Sequence, residues 1–406
     1  MAAIRPFRAL RYDPRRFGDL SAVLSPPYDV IEPDEQERLY QASPHNVVRL
    51  ILGKQHPTDG PNDNRYTRAA HEFEAWQQLG VLRRDPVPAL YLVEHEFEAN
   101  GARHTRLGFL ALLEFSDPIE RTVLRHEKTL AAPKEDRTRL LDAVPANLEP
   151  IFCVYPDEEG LMQALLAKHA AGTKPDAEGA LQGQRIRLWL ITDPALVGRI
   201  TEALAPLAML IADGHHRFEV AHARRARHNA LMAYCASMAD PSLVVRPIHR
   251  VVGSARRLDP ETLAGFCAIE PAPDLAGITA WLAQEQETGR FGWSDGQTFY
   301  RLTVRPERLS RWLDAPTVPK PLARLDVSLL HGLLLPGLGF NGAPIRYTAD
   351  ADRALSELHG SGSVWLLRGI PLADVYTISA QGLTLQPKST YFYPKVPSGL
   401  TINPLA

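Results

Sequence analysis

The residues best suited to chemistry stand together where a short apolar segment ends. The segment AMLIA runs directly into Asp213, Gly214, His215, His216 and Arg217, and a helical pattern follows. The N–H groups and the dipole of a helix start favour a phosphate or a carboxylate. Asp213 suits a Mg²⁺ ligand between phosphate oxygens, and Arg217 suits a bidentate phosphate clamp. The spacing leaves open an ordinary helix start with Asp213 as its N-cap.

A second segment places bases, acids and a histidine just before an amphipathic helix. RHEKT (125–129) and PKEDR (133–137) contain His126, Glu127, Lys134 and Arg137. A carboxylate beside cations suits a general base, so Glu127 is the candidate that takes a proton from a hydroxyl nucleophile. The alternative is a solvated, salt-bridged helix start, which is the usual meaning of mixed charges.

A third segment lies near the end of the chain. PKSTYFYPK (387–395) contains Lys388, Ser389, Thr390 and Lys395. Its alternating aromatic residues favour a strand, and its lysines could reach the phosphates of a nucleotide. An edge strand that lysines protect against unwanted pairing is the alternative.

Composition limits the partners of this site. The 406 residues include 47 acidic and 45 basic side chains, so the net charge is −2. We therefore expect no wrapping of nucleic acid and no attraction to an anionic membrane. The lack of a long apolar run and the three widely spaced cysteines indicate a cytoplasmic protein with reduced thiols. Only 8 of the 45 basic residues are lysines, and 4 of these lie in the second and third segments.

Strands that alternate with helices must position these segments. Residues 89–98 and 103–115 flank Asn100-Gly101, which suits a hairpin turn, and apolar strands are expected at 151–155, 186–192, 208–212 and 231–238. Residues 172–183 are expected to form a surface loop. The pattern predicts a mixed α/β (α+β) fold. We divide it into a loop-rich and helical region at 1–85, a central region at 86–235, and a C-terminal α/β region at 236–406 that closes the site.

Several segments resemble the bacterial family known as domain of unknown function ten-fifteen (DUF1015). They are IRPFRALRY (4–12), SPPYDVI (25–31), RHEKT, PKEDR, IADGHHRFEVA (211–221) and PKSTYFYPKVPSGL (387–400). The central region is similar to the ParB/sulfiredoxin-like superfamily, whose free serine kinases carry both His-Glu and D-G-H-H-R. That resemblance implies a ParB/sulfiredoxin-like core with a large insertion at about 157–205 and extra N- and C-terminal α/β parts.

The resemblance also implies roles for the candidate residues. Glu127 corresponds to the catalytic base, and Asp213 corresponds to a catalytic, metal or substrate contact. The nucleotide and its phosphates are assigned to Gly214, His215, His216, Arg217, Lys134, Arg137, Lys388, Ser389, Thr390 and Lys395. The substrate is assigned to His126, Tyr28, Asp29 and Arg49, although bracing of a proline-rich loop also explains the last three.

These assignments predict a function. We expect a Mg²⁺-dependent phosphotransferase that uses ADP or ATP to phosphorylate a small hydroxyl metabolite, with serine as the first candidate. Its expected partners are a small-molecule substrate and a nucleotide, with no nucleic acid and no membrane; the sequence does not fix the oligomeric state. A phosphate-ester hydrolase or nuclease is one alternative. A non-catalytic nucleotide-binding regulatory protein is another.

Overall fold

The chain forms two compact units in a computed structural model that describes residues 3–99, 101–254, 258–284 and 287–405. Unit 1 comprises Met1–Arg125, Thr129–Val244 and Pro394–Ala406. Unit 2 comprises His126–Lys128 and Val245–Tyr393. Each unit therefore draws on segments that are far apart in the sequence. The three-part division at residues 85 and 235 stays a prediction, because compact units do not show which segments fold independently.

Strands occur along the whole described chain. Up to residue 240 they are β1 (Ile4–Arg5), β2 (Leu10–Tyr12), β3 (Leu82–Arg84), β4 (Leu90–Ala99), β5 (Ala102–Glu114), β6 (Val123–Leu124), β7 (Ala146–Asn147), β8 (Ile151–Tyr155), β9 (Ala177–Leu181), β10 (Gln184–Ile191), β11 (Met209–Asp213) and β12 (Ala230–Ser237). Beyond it they are β13 (Val244–Arg246), β14 (His249–Val252), β15 (Cys267–Ala272), β16 (Arg290–Ser294), β17 (Phe299–Val304), β18 (Ile345–Thr348), β19 (Ser363–Leu366), β20 (Tyr391–Tyr393) and β21 (Asn403–Pro404).

Helices separate many of these strands. The first half has α1 (Pro33–Ala42), α2 (Val48–Ile51), α3 (Arg65–Gln78), α4 (Ala131–Ala143), α5 (Leu161–Gly172), α6 (Pro194–Leu204) and α7 (His215–His222). The second has α8 (Pro260–Ala264), α9 (Leu275–Gln284), α10 (Pro306–Leu313), α11 (Lys320–Ala323), α12 (Asp326–Leu329), α13 (Leu335–Gly337), α14 (Ala351–Ser356) and α15 (Leu372–Ala380). In the described part of the chain, every helix is too short or too polar to cross a lipid bilayer.

A large mixed sheet dominates unit 1. Its strand order is β6-β11-β8-β12-β5-β4-β10-β9, and β1 pairs with β5. The pairs β6/β11 and β8/β12 are parallel, and the other pairs in this sheet are antiparallel. Parallel pairs need helical crossovers, whereas antiparallel pairs accept short turns, so the sheet carries both kinds of connection. The prediction of a mixed α/β fold is confirmed.

Two local predictions met different outcomes in this sheet. β4 and β5 form the expected hairpin, with Ala99 opposite Ala102. Asn100 of the expected turn lies outside the described residues. The prediction of a loop at 172–183 was wrong for its second half, because β9 pairs with β10 from Leu181 and Gln184 onward. Pairing with β10 supplies hydrogen bonds to the backbone of β9, and the composition of the segment does not predict this pairing.

The core of unit 1 lies between one face of the sheet and helices α5, α6 and α7. The helices contribute apolar side chains to it, namely Met162, Leu166, Ile200, Leu204, Phe218 and Ala221. The sheet contributes buried side chains of alternate residues, such as Phe109, Ala111 and Leu113 on β5. Packing of α7 into this core fixes the position of the turn that precedes it.

Gly108 on β5 shows how tightly the opposite face of the sheet is packed. A Cβ at this position would lie 2.7 Å from the carbonyl oxygen of Cys235 and would overlap the ring of Tyr234. We expect Gly108→Ala to lower the free energy of unfolding by about 1–3 kcal/mol, because a packed backbone cannot yield easily. Urea titration monitored by tryptophan fluorescence measures the change.

The matched control for this substitution is Gly198 in the interior of α6. A Cβ there meets no heavy atom within 4 Å, so Gly198→Ala should stabilise the protein by about 0.5–1 kcal/mol. Equal effects of the two substitutions would contradict the packing of Tyr234 over Gly108.

Unit 2 contains a smaller antiparallel sheet. Its strand order is β15-β17-β16-β19-β14-β18. α9 packs on this sheet through Ile278 and Leu282, which join Val251, Val364 and Leu366 in a second apolar cluster. A π-helical turn at Leu330–Leu334 follows α12 and contains His331. Turns of this kind are frequent near functional residues.

Candidate functional site

The turn between β11 and α7 has the form that the sequence predicts for an anion site. Met209, Leu210, Ile211 and Ala212 are buried in the sheet. Gly214 then has φ +93°, a left-handed conformation that glycine adopts without strain. The N-cap of α7 is Gly214, which has no side chain with which to cap the helix. The alternative in which Asp213 acts as the N-cap is therefore wrong.

Asp213 instead holds two cations. The ammonium group of Lys395 donates a hydrogen bond to Oδ1, and Nη2 of Arg217 donates one to Oδ2 at 2.8 Å. Burial alone would raise the pKa of Asp213, but the charges of Lys395 and Arg217 lower it to about 2. These three side chains together carry one net positive charge beside the start of α7.

A second buried carboxylate continues this network and was not predicted from the sequence. Oε1 of Glu149 accepts hydrogen bonds from the backbone N–H of Tyr28 and from Oγ of Ser398, both at 3.1 Å. Nη1 of Arg137 lies 3.5 Å from Oε2. Burial raises the pKa of Glu149, and the charges of Arg217 and Arg137 oppose that shift. The only sequence signal for Glu149 is a single acid directly before the apolar strand β8.

The ring of Tyr28 connects the proline-rich segment at 25–31 to this network. The guanidinium carbon of Arg137 lies 3.8 Å from the centroid of that ring, and Nη1 of Arg217 donates to the carbonyl of Pro150. Burial raises the pKa of Tyr28, although Arg137 and Arg217 oppose the shift. Tyr28, Arg137, Arg217 and Lys395 are thus brought together within unit 1.

The carboxylate of Glu219 on α7 binds two residues of the second predicted segment. Oε2 of Glu219 accepts hydrogen bonds from Nζ of Lys134 at 3.1 Å and from Oγ1 of Thr129 at 2.6 Å. Burial raises the pKa of Glu219, but these hydrogen bonds give a net lowering. The backbone N–H of Leu130 donates to Nε2 of His216 at 2.9 Å. Lys134 and His216 therefore lie on the same side of α7, whereas His215 is buried.

Several of these charged groups line a cavity of unit 1. Arg137, Glu149 and Arg217 form its polar part. Its remaining lining residues are Leu140, Leu141, Ala146, Asn147, Leu148, Val220, Ala221 and Leu231. The cavity therefore places an apolar wall beside two guanidinium groups and the carboxyl group of Glu149.

The donor set around Asp213 does not fit Mg²⁺. A magnesium ion needs carboxylate, phosphate or water oxygens around it, and both carboxylate oxygens of Asp213 accept hydrogen bonds from cations. Within the described residues, no three His, Cys, Asp or Glu side chains are grouped as a metal site requires. No chemical step is therefore assigned to a metal at Asp213.

The remaining predicted residues of the His-Glu and Lys-Ser-Thr segments lie in unit 2. Nε2 of His126 is hydrogen-bonded to Oγ1 of Thr390 at 2.8 Å, and the backbone N–H of Ser389 donates to Oε1 of Glu127 at 3.3 Å. The two sequence segments therefore meet within this unit. Lys388 is exposed and has φ +57°, which is unusual for a residue other than glycine.

Arg250 is a buried residue of unit 2 that sequence reasoning did not select for the site. Its Nη2 lies 3.5 Å from the carbonyl oxygen of Pro387, and its Nε donates to Nε2 of His331 at 3.2 Å. Burial lowers the pKa of Arg250 to about 10, while the charges of Tyr347 and Glu127 oppose that shift. The sequence signal was the polar pair His249-Arg250, which interrupts an apolar stretch.

Two other predicted substrate residues also lie in unit 1. Asp29 is exposed in a short 3₁₀ turn. Arg49 lies over the ring of Tyr40, 4.4 Å from its centroid, and donates to the Tyr40 carbonyl oxygen at 3.2 Å. These contacts fit the bracing of a loop, and the substrate roles of both residues stay predictions.

Solved structures share only a distant likeness with the chain. SbnI from Staphylococcus aureus, with a C-terminal truncation, is 12% identical at TM-score 0.38, covering 73% of this chain and 87% of that chain. A conserved hypothetical protein from Pyrococcus furiosus is 11% identical at TM-score 0.35, covering 73% and 95%. A mutant of free serine kinase in complex with AMP is 11% identical at TM-score 0.36, covering 70% and 87%. Likenesses this distant carry no argument about function, and the ParB/sulfiredoxin-like core stays a prediction.

The family resemblance has firmer support. No curated protein matches the chain in sequence. Residues 4–328, however, match the model of the family described as protein of unknown function (DUF1015). That match includes the His-Glu segment, the D-G-H-H-R turn and the buried Glu149, so it spans most of the site described above. The chain therefore belongs to the DUF1015 family.

Proposed function

We propose that the protein is a nucleotide-dependent phosphotransferase that phosphorylates a small hydroxyl metabolite, with ADP or ATP as donor and serine as the first acceptor to test. The terminal phosphate of the nucleotide would bind at the Gly214 turn. The observation that carries the proposal is the guanidinium group of Arg217, which lies beside Gly214 at the start of α7 and also lines the cavity of unit 1.

The chemistry of phosphoryl transfer suits such a site. The reaction depends mainly on positioning and on neutralising the charge of the phosphate oxygens. Arg217 and Lys395 supply positive charge at the turn, and the N–H groups of the first turn of α7 add partial positive charge. The apolar wall of this small cavity would accommodate an apolar part of a small acceptor.

The proposed step balances as a direct transfer. The acceptor hydroxyl oxygen forms a bond to the terminal phosphorus of the nucleotide, and the bond from that phosphorus to the bridging oxygen breaks. ADP would leave as AMP, and ATP would leave as ADP. Glu127 of unit 2 is the proposed base that accepts the hydroxyl proton, and the backbone N–H of Ser389 orients its carboxylate.

A metabolite screen tests the proposal. The protein is incubated with hydroxyl metabolites and with ADP, ATP or pyrophosphate, and products are identified by a mass increase of one phosphate group. Formation of a phosphorylated acceptor is the expected result. Release of inorganic phosphate alone would indicate the hydrolase alternative. Nucleotide binding without any product would indicate a regulatory protein, and both of these results contradict the proposal.

Glu127→Gln provides the sharper test of the proposed base. The substitution preserves the shape of the side chain but removes its ability to accept a proton, so turnover should fall by at least about 100-fold. Affinity for ADP, measured by calorimetry, should stay near that of the wild type. Glu135→Gln in the exposed part of α4 is the matched control and should change neither quantity. A variant at Glu127 that keeps full turnover would exclude this residue as the base.

A further inference from the structure

The cations at Asp213 indicate how the turn neutralises a phosphate. In a magnesium-dependent site of the usual kind, a carboxylate holds the ion and the ion bridges the phosphate oxygens. Asp213 stands at the position where such a carboxylate is expected, yet its oxygens bind the ammonium group of Lys395 and the guanidinium group of Arg217. A divalent cation at this carboxylate would compete with them for its oxygens and would face their repulsion.

Lys395 is held at this position by a well-anchored segment of unit 1. Three residues further on, the backbone N–H of Ser398 donates to the carbonyl of Ser25 at 2.8 Å, and its hydroxyl donates to Glu149. The N–H of Ile402 then donates to the carbonyl of Leu10 at 2.9 Å. The backbone that follows Lys395 is thus held in place by hydrogen bonds, and it positions the ammonium group.

The chemistry of the ammonium group fits a bridging role. Lysine has three donors on one nitrogen, so it can bond a carboxylate and a phosphate oxygen at the same time. Its side chain is only 12% exposed, and poor solvation strengthens a charge-assisted hydrogen bond. A chain with 8 lysines among its 45 basic residues has kept an amine here, where a compact point charge can take the place of a metal ion.

We propose that Lys395, held by Asp213, takes the place of a divalent cation at the turn, so that nucleotide phosphates bind there without Mg²⁺. This inference rests on the proposed function, because it presupposes that the turn binds phosphate. It concerns only the binding of nucleotide at this site, where Lys395 contacts a phosphate oxygen before any reaction takes place.

The test is a calorimetric titration of the full chain with ADP, once with excess MgCl₂ and once with excess EDTA. The dissociation constant should differ by less than about threefold between the two conditions, because the site supplies its own cation. Lys395→Met should weaken ADP binding by about 10- to 100-fold in EDTA, which corresponds to the loss of one hydrogen bond between charged groups. Lys395→Arg, which keeps the charge next to Asp213, should weaken it less.

The possible failures are distinguishable. Tight binding in MgCl₂ that weakens more than tenfold in EDTA would overturn the metal-independent site and leave the nucleotide-binding proposal intact. Unchanged affinity of a folded Lys395→Met variant would overturn the role of Lys395 in the same way. No binding of ADP by the wild type in either condition would overturn the proposed function itself. The comparison of the two conditions uses the wild type alone, so it does not depend on the folding of a variant.

Discussion

Replacing Arg217 by methionine is expected to lower the free energy of unfolding of the protein by about 3–5 kcal/mol. The side chain is 11% exposed and pairs with Asp213 at 2.8 Å, and its charge also opposes the pKa rise at the buried Glu149. Methionine fills similar space but carries no charge. The carboxyl groups of Asp213 and Glu149 therefore lose part of their electrostatic stabilisation in a poorly solvated region. Urea titration followed by tryptophan fluorescence and circular dichroism gives the magnitude.

Two further variants separate charge from geometry. Arg217→Lys keeps the charge but loses the fork that reaches both Asp213 and the carbonyl of Pro150, so it should give an intermediate loss. Arg227→Met is the matched control on the surface and should change stability by less than about 0.5 kcal/mol. If Arg217→Met were as stable as this control, the buried network around Asp213 would not exist as described.

Asp213→Asn is expected to destabilise the protein strongly at neutral pH and much less at low pH. The folded pKa of Asp213 is about 2, below its ordinary value of 3.8. A depressed acid pKa stabilises the folded state above the unfolded pKa, and this contribution is lost as the pH falls through the folded pKa. The shift corresponds to about 2 kcal/mol, which the wild type should lose between about pH 4 and pH 2.

The pH dependence is measured by urea titrations of the wild type and of Asp213→Asn at several values from neutral to acidic pH. The difference in stability between the two proteins should shrink as the pH falls, because the wild-type carboxyl group becomes neutral as well. A difference that stays constant over this range would mean that Asp213 is not held ionised by Lys395 and Arg217.

Local sequence patterns were sufficient for much of the fold. Residues 89–98 and 103–115, which flank Asn100-Gly101, predicted the hairpin of β4 and β5, and the apolar run before Asp213 predicted a buried strand that ends at the turn. The strand β9 was missed because its sequence AEGAL is rich in small residues and lacks the β-branched and aromatic residues typical of strands. Pairing register depends on the partner strand, and single-segment composition carries no information about the partner.

The candidate site was predictable in its residue types but not in its partners. The sequence singled out Asp213, Arg217 and Lys395, yet nothing in the spacing of residues 213 and 395 shows that their side chains form an ion pair. Asp213 was therefore assigned to a metal, because a carboxylate beside a phosphate-binding turn usually has that role. Glu149 was missed since a lone acid before a strand resembles any surface residue until the fold buries it.

The position of a bound nucleotide tests the central claim most directly. A crystal structure of the full chain grown with ADP would locate the phosphates relative to the turn. We predict the terminal phosphate at the N–H groups that follow Gly214, with its oxygens about 3 Å from the guanidinium of Arg217 and the ammonium of Lys395. Density for ADP elsewhere on the protein, with the ion pair of Asp213 and Lys395 undisturbed and solvent at the turn, would contradict the account.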